Sequence, residues 1–130
     1  RDISLDTAKK AARAAEIDDF IASLDYGYDS LAYSSGNTIS GGQRQRLMIA
    51  RSLSSEPDVL ILDDSTSSLD YSTEKKVLDN IRREYPTMTL ILITEREGSA
   101  HGCDRAYSLR DGKLSDYNKK TNTLIEGGTV

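Results

Sequence analysis

Two short runs carry side chains suited to phosphate and metal chemistry. Ile39-Ser40-Gly41-Gly42-Gln43-Arg44-Gln45-Arg46 opens a stretch of helical apolar spacing, and Val59-Leu60-Ile61-Leu62-Asp63-Asp64 is an apolar run closed by paired carboxylates. The first amides of a helix lack internal partners and sit at the positive end of its dipole. Gly41 and Gly42 remove side chains that would hold a ligand away, and Ser40 adds a hydroxyl. Such a helix start can clamp a terminal phosphate; the plainer alternative is a glycine turn ahead of a capped helix. Asp63 closes its strand at the end where open α/β sheets bind ligands. A carboxylate there can hold magnesium directly or through water, beside phosphate oxygens, or simply cap the next turn. Asp64 stands where a general base for water would be placed. Ser67-Ser68-Leu69-Asp70 reads as a tight turn, with Asp70 as an N-cap whose position is also compatible with a ligand contact. Phosphate clamp and magnesium carboxylate together point to a nucleoside triphosphate.

Several elements must position these groups. Residues 4–25 read as helix, with Leu5, Ala8, Ala12 and Ala15 on one face, a break near Ile17, and Asp18 as the cap of a second short helix. Residues 26–38 are rich in turn formers and read as a loop. A helix is expected from Gly41 to about Ser54, with Leu47, Ala50 and Leu53 inward and Arg44, Arg46 and Arg51 free for solvent or partners. Val59–Asp63 and Met88–Thr94 are continuous apolar runs, the pattern of parallel strands buried on both faces. Between them Ser72–Glu84 reads as a helix facing inward through Val77, Leu78 and Ile81 and stopped by Pro86. Arg110-Asp111-Gly112 predicts a hairpin turn between strands at 106–109 and 113–115. The fold class is therefore α/β, a parallel sheet flanked by helices with an N-terminal helical subdomain. Residues 1–54 form the helical part and the phosphate-clamping helix, 55–116 the α/β part, and 117–130 a polar tail expected to fray.

Composition narrows the function. The chain has 130 residues and a formal charge of −4, which argues against a nucleic-acid or anionic-membrane partner, because phosphate backbones are gripped by clustered Lys and Arg. One cysteine, Cys103, allows no internal disulfide and suggests a reducing compartment. No apolar run approaches the roughly 20 residues that span a bilayer. The first residue is Arg rather than Met, as expected of a segment excised from something longer.

The motifs, in this order and spacing, resemble the C-terminal half of the nucleotide-binding domain of an ABC transporter, most of all the exporter type. Ile39–Gln43 is similar to the family's signature motif, with Ile for the usual Leu. Val59–Asp64 is similar to Walker B and Ser67–Asp70 to the D-loop, while Thr94-Glu95-Arg96 falls at the position of the switch histidine. Asp19-Phe20-Ile21 and Gly27-Tyr28-Asp29 resemble the exporters' helical subdomain. The likeness runs from about residue 4 to 115. It implies a partial P-loop NTPase sheet and an ATPase with ATP and magnesium as ligands. It also implies a second nucleotide-binding domain paired head to tail, transmembrane domains as partners, and a place at the cytoplasmic face of the membrane. It further implies that Ser40, Gly41, Gly42 and Gln43 touch ATP held by the mate, with Asp70 nearby and Asp63 on the metal.

Three departures from the family pattern matter. No Gly-x4-Gly-Lys-Ser/Thr run occurs: Gly36 and Gly41 have the spacing, but Gly42 follows instead of Lys. The segment is thus expected to begin downstream of Walker A and the Q-loop, and an isolated copy is not expected to bind ATP tightly or to hydrolyse it. Asp64 replaces the family's catalytic Glu, shortening the arm by one methylene. Glu95 replaces the switch histidine, setting an anion where a γ-phosphate would lie. His101 lies past the motif and reads as a loop residue. Both lesions fall on the chain's own nucleotide site while the signature stays serviceable, the pattern of the degenerate half of a heterodimeric exporter. Two other classes compete. One is a chromosome-maintenance ATPase acting on DNA, which would need basic surfaces and long coiled-coil arms; the other is a non-catalytic interaction module.

Overall fold

The computed structural model describes residues 2–30, 39–118 and 123–124. They fall into two compact units, Arg1–Ile93 and Thr94–Val130. That boundary differs from those expected after residues 54 and 116, because the N-terminal helices share one core with the first strands.

The first unit begins with α1 (Leu5–Ala14), capped by Ser4, whose Oγ accepts from the Thr7 N–H at 3.1 Å. Its buried face is almost entirely alanine: Ala11, Ala12, Ala14 and the adjoining Ala15. Small side chains let α1 lie close against α3 (Gly41–Leu53) and α4 (Tyr71–Glu84). The predicted break near Ile17 is a Schellman-type stop built without glycine. Glu16 takes φ 56°, its N–H donates to Arg13 O at 3.1 Å, and the Ile17 N–H reaches Ala12 O at 3.0 Å. Burial of Ile17 holds this strained corner. Asp18 does not cap α2 (Asp18–Ala22) as expected; it is the first helical residue, and its carboxylate accepts from the Tyr28 hydroxyl at 2.6 Å. Gly27–Asp29 forms a 3-10 turn; residues 31–38 of the predicted loop lie outside the described residues.

α3 faces the core through Ile49, Ala50 and Leu53, whereas Leu47, expected inward, is only partly buried. The 3.6-residue period carries 49, 50 and 53 to one stripe and leaves 47 at its edge. β1 (Val59–Asp63) and β2 (Thr89–Ile93) pair in parallel, Val59 opposite Thr89 through Asp63 opposite Ile93, with α4 as the crossover. Their burial corrects the expectation of strands covered on both faces. Leu60 and Leu62 point into the core, but Ile61 is 58% and Ile93 51% exposed. Among the described residues the helices cover only one side of this two-stranded sheet, so strand alternation divides each run into an inner and an outer set. α4 buries Val77, Leu78 and Ile81 as expected and stops at Tyr85, ahead of Pro86.

The second unit contains a 3-10 stretch (Glu97–Gly102) and an antiparallel sheet of β3 (Tyr107–Arg110), β4 (Lys113–Asn118) and β5 (Thr123–Leu124). The β3–β4 turn has Asp111 at φ 49° and Gly112 at φ 73°, the two left-handed residues of a type I′ hairpin. Tyr117 and Asn118, expected to fray, instead pair with Leu124 and Thr123. The remainder of the predicted tail, 119–122 and 125–130, lies outside the described residues.

Candidate functional site

At the start of α3 the backbone leaves an extended conformation at Ser40 and enters the helix at Gly41. Ser40 and Gln43 close a capping box: Ser40 Oγ accepts from the Gln43 N–H at 3.2 Å, and Gln43 Oε1 accepts from the Ser40 N–H at 2.9 Å. This box engages one of the orphan donors. The next carbonyl-bonded amide is Arg44, to Ser40 O at 2.9 Å. Among the described residues the Gly41 and Gly42 amides have no acceptor, and Ser40 and Gly41 are exposed. Two amides without an acceptor among the described residues, at the positive end of a helix of 13 residues and with Gly41 exposed and Gly42 half-buried, suit an anion.

The glycines also serve the chain itself. A Cβ on Gly42 would lie 3.2 Å from the Ser68 carbonyl oxygen and 3.4 Å from Leu69 Cδ2, and one on Gly41 would touch Ser68 Oγ at 3.4 Å. The turn that follows β1 is thus packed directly on the first turn of α3. This second reason for glycine is invisible in sequence, because the partner lies more than twenty positions away.

Asp63 ends β1 and Asp64 follows it, both exposed and without a side-chain partner among the described residues. Asp64 adopts φ 48°, a left-handed conformation that short polar side chains tolerate best. Its N–H donates to Ile93 O at 3.0 Å, continuing the parallel ladder one step. Its carbonyl accepts from the Ser67 N–H at 3.2 Å and the Ser67 hydroxyl at 2.9 Å. Asp70 is the N-cap of α4: its Oδ1 accepts from the Thr73 N–H at 2.9 Å and its Oδ2 from the Thr73 hydroxyl at 2.7 Å. The Thr73 hydroxyl, then the Thr73 N–H, hold the Asp70 carboxyl below the ordinary range.

The structure thus packs the α3 start, through Gly41, Gly42 and Gln45, against the 64–70 turn, which has Asp64 at one end and Asp70 at the other, while Asp63 precedes it at the end of β1; no hydrogen bond ties Asp63 or Asp70 to Ser40 or Gln43 among the described residues. Glu95 belongs to the second unit, two positions beyond the end of β2. Arg46 corrects the expectation of a free arginine. Its Nη1 donates to Glu16 O, and its Nε to Gly42 O at 3.4 Å, so it ties α3 to the corner after α1. Glu16 is held from the other side by Asn80 Nδ2 at 2.6 Å.

Two features escaped the sequence. Thr66 and Glu74, each about 1% exposed, share a hydrogen bond of 2.6 Å from Thr66 Oγ1 to Glu74 Oε1. Glu74 lies on the same helical stripe as Val77, Leu78 and Ile81, and that placement was the available signal. Gln45 bonds Ser67, Ser68 and Asp64, with no motif to announce it. No group of three or more His, Cys, Asp or Glu could hold a metal among the described residues. A single exposed carboxylate, Asp63, fits magnesium only in the manner of that ion with nucleotides, where water and phosphate supply most ligands. No helix among the described residues is long and apolar enough to cross a membrane.

Comparison with known proteins gives a consistent result. A family model described as ABC transporter matches residues 2–67. The chain is 40% identical over 123 residues to the uncharacterized ABC transporter ATP-binding protein YfiB of Bacillus subtilis, covering 95% of this chain and 21% of that one. It is 36% identical over 124 residues to the alpha-hemolysin translocation ATP-binding protein HlyB of Escherichia coli, covering 95% and 18%. ABC transporter B family member 15 of Arabidopsis thaliana is 39% identical over 120 residues, with 92% of this chain but only 10% of that protein matched. A solved bacterial Atm1-family ABC exporter with ATP bound superimposes with a TM-score of 0.76 at 36% identity, covering 88% of this chain and 20% of that structure. The chain thus spans between a tenth and about a fifth of the length of these relatives.

Proposed function

The chain belongs to the ABC transporter family, as part of an exporter-type nucleotide-binding domain, and from that premise we propose that its signature closes an ATP site on a partner domain. The whole protein would couple ATP binding and hydrolysis to export across a membrane, with the domain at the cytoplasmic face. Ser40 and the Gly41 and Gly42 amides lie against the γ-phosphate of ATP held by the Walker A loop of a second nucleotide-binding domain, head to tail. The observation that carries this reading is the start of α3, where Ser40 and Gly41 are exposed and the Gly41 and Gly42 amides have no acceptor among the described residues. Their positive end lowers the energy of the triphosphate's terminal charge without requiring a side chain to reorganise.

At the chain's own site Asp63 takes the metal position, and magnesium there would neutralise charge between phosphate oxygens. Asp64 occupies the base position with an arm one methylene short of Glu. A base has to reach within about 2.6–3.2 Å of its proton, or act through a water. Glu95, next to the γ-phosphate position by family likeness, opposes anionic charge. This site therefore binds nucleotide when completed by Walker A and turns it over slowly, while the mate's site does most of the hydrolysis. The 130 residues by themselves, without a Walker A sequence, bind ATP weakly and do not hydrolyse it.

Ser40→Asp tests the clamp cleanly. Asp is as good an N-cap as Ser, so the helix start keeps its cap, but a carboxylate now faces the phosphate. Steady-state ATPase activity of the full-length protein should fall by about a hundredfold or more, the order seen when one oxyanion donor is lost, with an unchanged melting temperature. Wild-type turnover in this variant would refute the clamp.

A further inference from the structure

Gln45 lies one turn into α3, and its side-chain amide is used on both sides. Oε1 accepts from the Ser68 N–H at 2.8 Å, and Nε2 donates to Ser67 Oγ at 3.0 Å and, more loosely, to Asp64 O at 3.4 Å. Ser67 Oγ in turn donates to Asp64 O at 2.9 Å, so the amide, the hydroxyl and the carbonyl form one connected network. Asp64 is held at φ 48°, a conformation that a non-glycine residue keeps only where its surroundings over-determine it. The far side of the same turn is fixed to α4 by Thr66–Glu74 and by the Asp70 cap. On the near side, Ser68 and Leu69 approach Gly41 and Gly42 closely, and Gln45 hydrogen-bonds the turn. The contact at Gly42 resists compression only, whereas the Gln45 hydrogen bonds can pull as well as push.

We propose that Gln45 is a positioning residue that fixes the 64–70 turn, Asp64 included, to the first turn of α3, so that the phosphate clamp and the strand-end carboxylate move as one body. This rests on the clamp reading for its functional meaning. When Ser40 and the glycine amides engage a nucleotide on the mate, the displacement of α3 reaches the Asp64 peptide through the Gln45 amide. One chain thereby links the site it completes in trans to the site it carries.

The test is amide hydrogen exchange of the full-length protein, with and without MgATP, read in segments 39–44, 64–70 and 71–84, alongside single-turnover hydrolysis at this chain's own site. In Gln45→Ala, exchange in 64–70 should quicken roughly three- to tenfold, the loss of one net hydrogen bond, while 71–84 is unchanged. MgATP should slow exchange at both 39–44 and 64–70 in the wild type but only at 39–44 in the variant. The single-turnover rate at this chain's site should fall several-fold. Gln45→Glu keeps the acceptor for Ser68 and loses both donors, so it should restore protection at Ser68 and not restore that rate. Wild-type protection of 64–70 in Gln45→Ala, loosening spread equally over 71–84, or an unchanged single-turnover rate at this site would each overturn the proposal. Failure of the clamp is separately visible as no response of 39–44 to MgATP in the wild type. In that event the nucleotide-free comparison of wild type and Gln45→Ala still decides whether Gln45 holds the turn.

Discussion

At the scale of single residues, two carboxylates, Asp64 and Glu95, depart from the family pattern, and the proposed reading assigns both to the chain's own nucleotide site. Asp64 sits in a left-handed corner where its short side chain is well suited, and in the proposed reading the same shortness withdraws its oxygens from a water that a Glu would reach. A misplacement of about 1 Å can cost on the order of a hundredfold in rate. Asp64→Glu together with Glu95→His should therefore raise single-turnover hydrolysis at this chain's site in the full-length protein by roughly tenfold or more. If the rate does not change, these two positions do not limit that site. Much of the corner was legible in the sequence. Ser-Gly-Gly-Gln predicted a capped helix start, and an Asp closing a tight turn predicted the α4 cap. Gln45 and Arg46 were not legible as they stand, because a polar residue on an amphipathic helix carries no sign of a partner 20 or more positions away, whereas the place of Glu74 on the buried stripe of α4 was a signal left unused. Arg46 was read as free and instead holds the Glu16 corner.

At the scale of elements, periodicity located α1, α2, α3 and α4 among the described residues, although Asp18 does not cap α2 and the 3-10 turn at Gly27–Asp29 was read as loop, and the α/β order followed from them. The stop of α1 was placed correctly, but no glycine marked it; burial of Ile17 makes Glu16 accept the left-handed turn. The strands were less transparent. A continuous apolar run does not say whether one face or both are covered, since Val, Leu and Ile serve either case. Here adjacent residues of β1 meet opposite fates: Leu62 is 3% exposed and Ile61 58%. Leu62→Ala should cost the 130-residue polypeptide about 2–5 kcal/mol by cavity formation. Ile61→Ala should stay within about 0.5 kcal/mol. Urea unfolding midpoints of the two variants check this, and equal losses would mean that the outer face is covered too.

At the scale of the whole molecule, the boundary between units could not be read from composition. Shared burial of alanines, α3 and α4 in one core decides it, and burial is a property of packing. The chain matches about a tenth to a fifth of its relatives, and the motif that grips the β- and γ-phosphates in this family does not occur in its sequence. Titration calorimetry of the 130-residue polypeptide with MgATP should accordingly show no saturable binding tighter than about 1 mM. Micromolar binding would mean that the α3 start and Asp63 suffice without a lysine-bearing loop.

The central claim is that Ser40 and its neighbouring amides act on nucleotide held by another domain. Photolabelling of the full-length protein with a reactive ATP analogue reports which domain retains nucleotide. In Ser40→Asp the label should disappear from the partner domain and persist on this chain. Label lost from this chain and kept on the partner, or an unchanged distribution, would contradict the account.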